Sequence, residues 1–202
     1  MSEGPRYELI VVGASWGGLR AVSRLLEALP ADIDVAVAIA QHRSADSVRG
    51  SLEELLQMHT RLHVREAGDK EPIERGHVYV APPDYHLLVE RGFFALSVDE
   101  RVQFARPSVD VLFESAADAY RERLIGIVLT GANNDGAAGL ARIKANGGVA
   151  IVQSPETAVR RSMPDAALKA TAADAVLPLG DIGPFLYGLC VDASTTGRSV
   201  GV

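Results

Sequence analysis

The chain has 202 residues, of which 48% are hydrophobic and 23% charged, and a formal net charge of −6 at pH 7; this composition is typical of one globular domain with its own core. The single cysteine, Cys190, excludes an internal disulfide and a cysteine-rich metal site, and the absence of a lysine and arginine cluster with interleaved aromatic residues argues against a nucleic-acid partner. The sequence shows neither a signal-peptide pattern nor an apolar run of the roughly 20 residues that span a bilayer, so we expect a cytoplasmic protein without membrane insertion.

Apolar runs alternate with stretches of helical periodicity along most of the chain, which predicts strands that alternate with helices. The predicted strands cover residues 7–14, 34–41, 62–66, 77–81, 85–90, 93–98, 124–130, 149–153 and 175–179. The predicted helices cover residues 17–29, 47–58, 108–120, 136–145, a stretch that contains Pro164, and 182 to about 191.

The segment 61–99 differs from the rest, because short β runs are broken there by Pro82-Pro83 and Arg91-Gly92. The two runs on either side of Arg91-Gly92 predict an antiparallel hairpin. The whole pattern predicts an α/β fold: a single doubly wound, mainly parallel sheet with helices on both faces and an antiparallel hairpin insertion. We expect one domain over residues 1–202, with a core over about 7–192 and a flexible tail over 194–202.

Ser15 lies in the sequence Gly13-Ala14-Ser15-Trp16-Gly17, between the first predicted strand and the first predicted helix. A Gly-x-Ser-x-Gly turn at this point lifts the serine hydroxyl out of the backbone, and the free N–H groups at the start of the helix point toward it. This is how a nucleophile elbow is built. The alternative is a glycine-rich turn in which Ser15 only caps the helix.

Two further reactive side chains also follow predicted strands: His42 follows the strand 34–41, and Asp135 follows the strand 124–130. Functional groups of an open α/β sheet gather beyond the carboxyl ends of its strands, so Ser15, His42 and Asp135 are predicted to converge at one edge of the sheet. There His42 would accept the serine proton and Asp135 would orient the imidazole. Taken alone, a histidine after a strand is more often a loop residue than a base, and an aspartate at position 135 is more often a helix cap; the prediction depends on the three residues together.

Other site types are disfavoured by the sequence. His59 and His63 are four residues apart, but the residues between them indicate the end of a helix, so no metal site is expected. A dinucleotide site is disfavoured because Ser15 replaces the second glycine of Gly-x-Gly-x-x-Gly and His42 stands where an acidic residue is needed. The order Ser, His, Asp also differs from the Ser, Asp/Glu, His order of the α/β-hydrolases.

Several stretches together resemble the catalytic domain of the CheB-type chemotaxis methylesterases, which are protein-glutamate methylesterases. They are, in family order, VGAS (12–15) with GG (17–18), QH (41–42), HVYVAP (77–82), RPSVDVLF (106–113), LTG (129–131), NDGAAG (134–139) and MP (163–164). The resemblance implies Ser15 as nucleophile, His42 as base and Asp135 as its partner. It also implies hydrolysis of glutamate γ-methyl esters on chemoreceptor helices without a cofactor, and some family members also deamidate receptor glutamines.

The oxyanion of such a reaction is expected to bind the backbone N–H groups of Trp16 and Ala132. The chain departs from the family pattern here, because Trp16 replaces a small polar residue and Ala132-Asn133 replaces Met-Gly. Asparagine tolerates a positive φ at position 133. We expect Trp16 to be partly exposed at the mouth of the cleft and to restrict the substrate; the alternative is that it packs as core.

The receiver domain that is usual in the family is not expected here, since few residues precede the first strand and a receiver needs about 120. The expected partners are methylated cytoplasmic helices of chemoreceptors, and a separate receiver or other signalling protein in trans. Two other functions stay open: a non-catalytic docking module with the same fold, and a small-molecule esterase with the same three residues.

Overall fold

The computed structural model describes residues 7–44 and 46–195. The strands in these residues are β1 (Leu9–Ala14), β2 (Ala36–Gln41), β3 (His63–Glu66), β4 (His77–Val80), β5 (His86–Glu90), β6 (Phe93–Ser97), β7 (Leu124–Val128), β8 (Val149–Gln153) and β9 (Ala175–Leu177). The helices are α1 (Gly18–Glu27), α2 (Ser51–Gln57), α3 (Val109–Tyr120), α4 (Ala137–Ala145), α5 (Ser162–Ala170) and α6 (Leu179–Thr195), with a 3₁₀ turn at Arg121–Arg123. Within the described ranges, no helix is both long and apolar enough to cross a bilayer.

One sheet of seven parallel strands organises the fold, in the order β3-β4-β2-β1-β7-β8-β9. The strands β5 and β6 form a separate antiparallel hairpin that packs against α3. These observations confirm the predicted fold. The strand order reverses between β1 and β7, and open α/β sheets bind ligands in the crevice at such a switch point.

The central strand β1 is buried along its whole length because helices cover both faces of the sheet. Ile10 and Val12 pack in one cluster with residues of α1, α2 and α6, while Leu9 and Val11 pack in a second cluster with residues of α3, α4 and α5. This alternation follows from the period of two along a strand. The parallel pairing with β2 and β7 sets the direction of β1, so its carboxyl end delivers Ser15 to the same edge of the sheet as the ends of these two strands.

Three segments differ from the sequence prediction. The strands β3 and β4 extend the main sheet in parallel, although the segment 61–99 was expected to depart from the α/β alternation; the antiparallel pairings described in it are the hairpin and an isolated bridge between Pro72 and Phe93. Residues 47–50 are not helical, contrary to the prediction, because the positive φ of Gly50, 77°, places α2 after it. The last helix begins at Leu179 rather than at residue 182, and it includes residues 194–195 of the predicted tail. Residues 196–202 of that tail lie outside the described residues.

A glycine in β1 brings α3 close to the sheet. A Cβ at Gly13 would lie 2.2 Å from Cγ1 of Val109, the first residue of α3. We expect Gly13→Ala to lower the free energy of unfolding by about 1–3 kcal/mol, because the added methyl overpacks this contact. Urea denaturation measures the change. The control is Gly180→Ala, since nothing lies within 4 Å of a Cβ at that position; equal losses in both variants would contradict the packing argument.

Candidate active site

Ser15 leaves the carboxyl end of β1 in a tight turn. Its N–H donates to the carbonyl of Thr130 over 3.0 Å, and its own carbonyl accepts from the N–H of Gly18 over 2.8 Å. Gly17 precedes α1 with a φ of 79°, in the left-handed region that favours glycine. No side chain caps α1, so the alternative in which Ser15 serves as the helix cap is wrong and its hydroxyl is free for other contacts.

His42 follows the neighbouring strand β2 and reaches Ser15 directly. Its N–H donates to the carbonyl of Ala14 over 3.0 Å, which fixes the backbone beside the serine. Its ring Nδ1 lies 3.2 Å from Oγ of Ser15, and its Nε2 lies 2.6 Å from Oδ2 of Asp135. The structure therefore brings the three sequence-predicted residues into one continuous hydrogen-bonded chain, with Nδ1 on the serine side and Nε2 on the carboxylate side.

Asp135 is buried and is held at the start of α3. Its Oδ2 accepts from the N–H of Val109 over 2.7 Å, and its Oδ1 accepts from the N–H of Asp110 over 2.8 Å and from Oγ of Ser108 over 2.9 Å. Burial alone would raise the pKa of Asp135, but the hydrogen bonds from His42 and from the two N–H groups outweigh it and leave the pKa below its ordinary value. Asp135 is therefore a charged acceptor for Nε2, and not the cap of α4, which has no side-chain cap.

A second carboxylate, Asp110, completes a reciprocal arrangement between α3 and α4. Asp135 precedes α4 and accepts from the start of α3, whereas Asp110 lies in α3 and accepts from the N–H of Gly139 in α4 over 2.7 Å. Burial raises the pKa of Asp110 from 3.8 to about 6, and the charge of Asp135 adds to the rise, against the hydrogen bond from Gly139. Asp110 lies within the family stretch RPSVDVLF (106–113), but no local signal in the sequence indicates this role.

Two other buried groups support the same chain. Nδ1 of His86 accepts from the N–H of Ser108 over 3.2 Å, which orients the residue that binds Asp135. Nε2 of Gln41 donates to the carbonyls of Ser15 and His42 over 2.8 and 3.0 Å, and so ties the two loops together. Local sequence signals did not indicate these roles, because each depends on a strand or helix distant in the sequence.

Trp16 and Ala132, the expected oxyanion donors, belong to loops that meet at Ser15. Neither backbone N–H donates a hydrogen bond within the part of the chain that the structure describes. The loop that carries Ala132 passes close to the serine: a Cβ at Gly131 would lie 3.0 Å from Cβ of Ser15. Their role as oxyanion donors remains a prediction that this placement allows.

The Trp16 side chain is 63% exposed, so it is not part of the core. The guanidinium of Arg160 lies over its ring, 5.8 Å from the centroid. The carbonyl of Trp16 accepts from Oγ1 of Thr130 over 3.0 Å, which fixes the backbone while the ring projects outward. The indole is therefore an exposed group on the residue next to Ser15, and its effect on a substrate remains a prediction.

Asn133 is a further residue of the site. Asparagine was expected to replace the family glycine here because it tolerates a positive φ. Asn133 does not adopt a positive φ, so the position does not require that tolerance. Its Nδ2 lies 3.4 Å from Nδ1 of His42, and its Oδ1 accepts from the N–H of Asp135 over 3.3 Å. The first contact suits an Nδ1 that acts as an acceptor, because the amide nitrogen is a donor, and the second orients the amide toward the loop that carries Asp135. In the described ranges no group of three or more histidine, cysteine, aspartate or glutamate residues is placed to hold a metal ion.

The site has the arrangement typical of a serine hydrolase. A serine, an imidazole and a buried carboxylate are hydrogen-bonded in that order at the switch point of an α/β sheet. The CheB methylesterase family model matches residues 10–186, and the chain belongs to this family. The resemblance inferred from the sequence is thereby confirmed, together with the enzyme class, a hydrolase of the protein-glutamate methylesterase type.

Individual relatives agree with this assignment. A putative protein-glutamate methylesterase/protein-glutamine glutaminase of Leptospira interrogans is 49% identical, over 91% of this chain and 95% of the relative. The protein-glutamate methylesterase/protein-glutamine glutaminase 2 of Caulobacter vibrioides is 41% identical, and the match covers 89% of this chain but only 53% of that protein. The crystal structure of the Thermotoga maritima CheB methylesterase catalytic domain superposes with a TM-score of 0.84 at 33% identity, over 91% of this chain and 98% of that one.

The raised pKa of Asp110 predicts a pH-dependent stability. Between about pH 4 and 6 the folded protein keeps a proton that the unfolded chain has lost, so the free energy of unfolding falls as the pH rises. An asparagine at position 110 does not titrate in this range, and its side-chain oxygen can still accept the hydrogen bond from the N–H of Gly139. We therefore expect the stability of Asp110→Asn relative to wild type to increase by up to about 3 kcal/mol from pH 4 to 7, at about 1.4 kcal/mol per pKa unit. Urea denaturation at both pH values tests this; a difference that does not change with pH would contradict it.

Proposed function

We propose that the chain removes methyl esters from glutamate side chains of chemoreceptors and deamidates receptor glutamines, with Ser15 as nucleophile, His42 as base and Asp135 as its partner. The observation that carries this proposal is the continuous path from Oγ of Ser15 to Nδ1 of His42, at 3.2 Å, and from Nε2 to the carboxylate of Asp135, at 2.6 Å. Family membership supports the ester and amide chemistry, because relatives are named for both reactions.

The first step is attack of Oγ of Ser15 on the ester carbonyl carbon. As the C–O bond forms, the hydroxyl proton passes to Nδ1 of His42, and the imidazolium is stabilised by the charged Asp135 at Nε2. The carbonyl oxygen becomes an oxyanion, which the N–H groups of Trp16 and Ala132 are placed to receive. Nδ1–H then protonates the departing methoxide, so methanol leaves and a glutamyl-serine ester remains.

Hydrolysis of that acyl-enzyme repeats the same steps with water. His42 removes a proton from water at Nδ1, the hydroxide adds to the acyl carbon, and the proton returns to Oγ of Ser15 as the ester bond breaks. The products are the free serine and a glutamate carboxylate. For a glutamine substrate the leaving group is ammonia in place of methanol, and the later steps are the same.

Partners and location follow from this substrate. The proposed partners are the methylated cytoplasmic helices of chemoreceptors, which places the reaction in the cytoplasm. Trp16 is exposed next to the nucleophile, and the guanidinium of Arg160 lies over its ring. Together they offer an apolar face and a cation, which an extended protein substrate would contact. We propose residues 1–202 as a single methylesterase-like domain.

Methanol release from a methylated chemoreceptor cytoplasmic domain tests the proposal. We expect Ser15→Ala and His42→Ala each to lower the rate by a factor of about 10⁴, and the double variant to be little slower than either, because the residues act as a unit. His59→Ala is the control, since His59 contacts Glu27 rather than Ser15. Activity retained in Ser15→Ala, or independent and additive losses, would contradict the mechanism.

A further inference from the structure

A cavity of about 700 Å³ opens beside the imidazole of His42. Its lining also includes Asn133 and residues of the segment that precedes α3, among them Arg101, Gln103 and Phe104. Cavities of this size accommodate whole small ligands, and a single glutamate methyl ester side chain is much smaller than that. The space beside the base therefore has room for parts of the substrate other than the group that reacts.

A strained turn presents Phe104 at this cavity. The N–H of Ala105 donates to the carbonyl of Val102 over 2.9 Å and closes the turn. Between them, Gln103 and Phe104 have φ values of 51° and 63°. Two successive residues in the left-handed region are ordinarily Asn-Gly or Gly-Gly, because a Cβ makes this conformation unfavourable. The chain holds an aromatic residue in a conformation that its side chain opposes.

The Phe104 ring gains no packing in return for this strain. Phe104 is 97% exposed, more than any other large hydrophobic residue among those the structure describes. Burial of apolar surface is the usual reason for an aromatic side chain, and here it is absent. Strained residues that persist without a structural benefit cluster at functional sites.

The base of the turn is fixed, so the backbone that carries the exposed ring has a defined position. Arg106 donates to Oδ1 of Asp84 from Nε and from a terminal nitrogen, over 3.1 and 2.8 Å. Its other terminal nitrogen donates to the carbonyls of Val98 and Asp99 over 2.7 and 2.9 Å. Arg106 lies two residues before Ser108, whose hydroxyl binds Asp135, so the turn and the site are built on the same segment.

We propose that Phe104 is a specificity-determining residue that inserts into the apolar face of the substrate protein next to the scissile glutamate side chain. Trp16 follows the nucleophile in the sequence and Phe104 lines the same cavity as the base, so each member of the reacting pair has an exposed aromatic residue near it. Phenylalanine has only two χ angles to order, so on a fixed backbone its ring provides a large apolar contact at little entropic cost. This inference rests on the proposed function, because it assigns to Phe104 the recognition of the same substrate.

The variants are chosen so that folding is preserved. Phe104→Gly removes the ring and suits the positive φ, so it is expected to fold at least as well as wild type. Phe104→Tyr keeps an aromatic ring at the same position. Phe93→Ala, on the hairpin, removes another exposed phenylalanine and is the matched control.

The experiment compares two substrates, a methylated chemoreceptor cytoplasmic domain and p-nitrophenyl acetate. With the receptor domain we expect Phe104→Gly to raise KM about tenfold or more, Phe104→Tyr to restore it, and Phe93→Ala to leave it unchanged. With p-nitrophenyl acetate all three variants should stay within about twofold of wild type, because the small ester does not reach the turn.

An unchanged KM for the receptor domain in Phe104→Gly would overturn the inference, and so would equal losses on both substrates, since the ring would then act through the integrity of the site. Failure of the proposed function is recognised separately. It would appear as methanol release that persists in Ser15→Ala, or as no release by the wild-type protein.

Discussion

The carboxylate of Asp135 at the start of α3 is the interaction on which the site depends. A charged group in this buried position is stable only when donors surround it, and two backbone N–H groups, Oγ of Ser108 and Nε2 of His42 supply them. The backbone donors belong to the first turn of a helix and have no partner within it. Because they keep Asp135 charged, Nε2 is the ring nitrogen that carries a proton, and Nδ1 is left as the acceptor that faces Ser15.

The fold supplies this interaction through close packing of backbone against backbone. The first residue of α3, Val109, lies against Gly13 in β1 and against Gly136 after the carboxylate, where a Cβ would come within 2.2 and 2.6 Å of it. Only glycine leaves α3 room to reach the switch point between β1 and β7. The reciprocal hydrogen bond from Gly139 to Asp110 then fixes α4 to α3, so the loop that carries Asp135 is held at both ends.

The sequence predicts the framework because its signals there are local. The apolar strands β1, β2 and β7 and the glycine turn at Ser15 can be read from short stretches, and strands that share a sheet bring Ser15, His42 and Asp135 to one edge. The roles of Asp110, Ser108 and Asn133 could not be read in this way, since each depends on a partner that only tertiary packing supplies. The orientation of the His42 ring was equally hidden, and so was the exposed Phe104, because no periodic pattern indicates a strained turn.

The protonation state of His42 tests the account most directly. In the ¹⁵N-labelled free protein at neutral pH, the proton on the neutral imidazole should be found by NMR on Nε2, with the low-field proton signal of a hydrogen bond to a carboxylate, and Nδ1 should carry none. Asp135→Asn should weaken this preference, since the amide is a poorer acceptor. A neutral ring protonated at Nδ1 in the wild-type protein would contradict the account, because Nδ1 could then not accept the proton of Ser15.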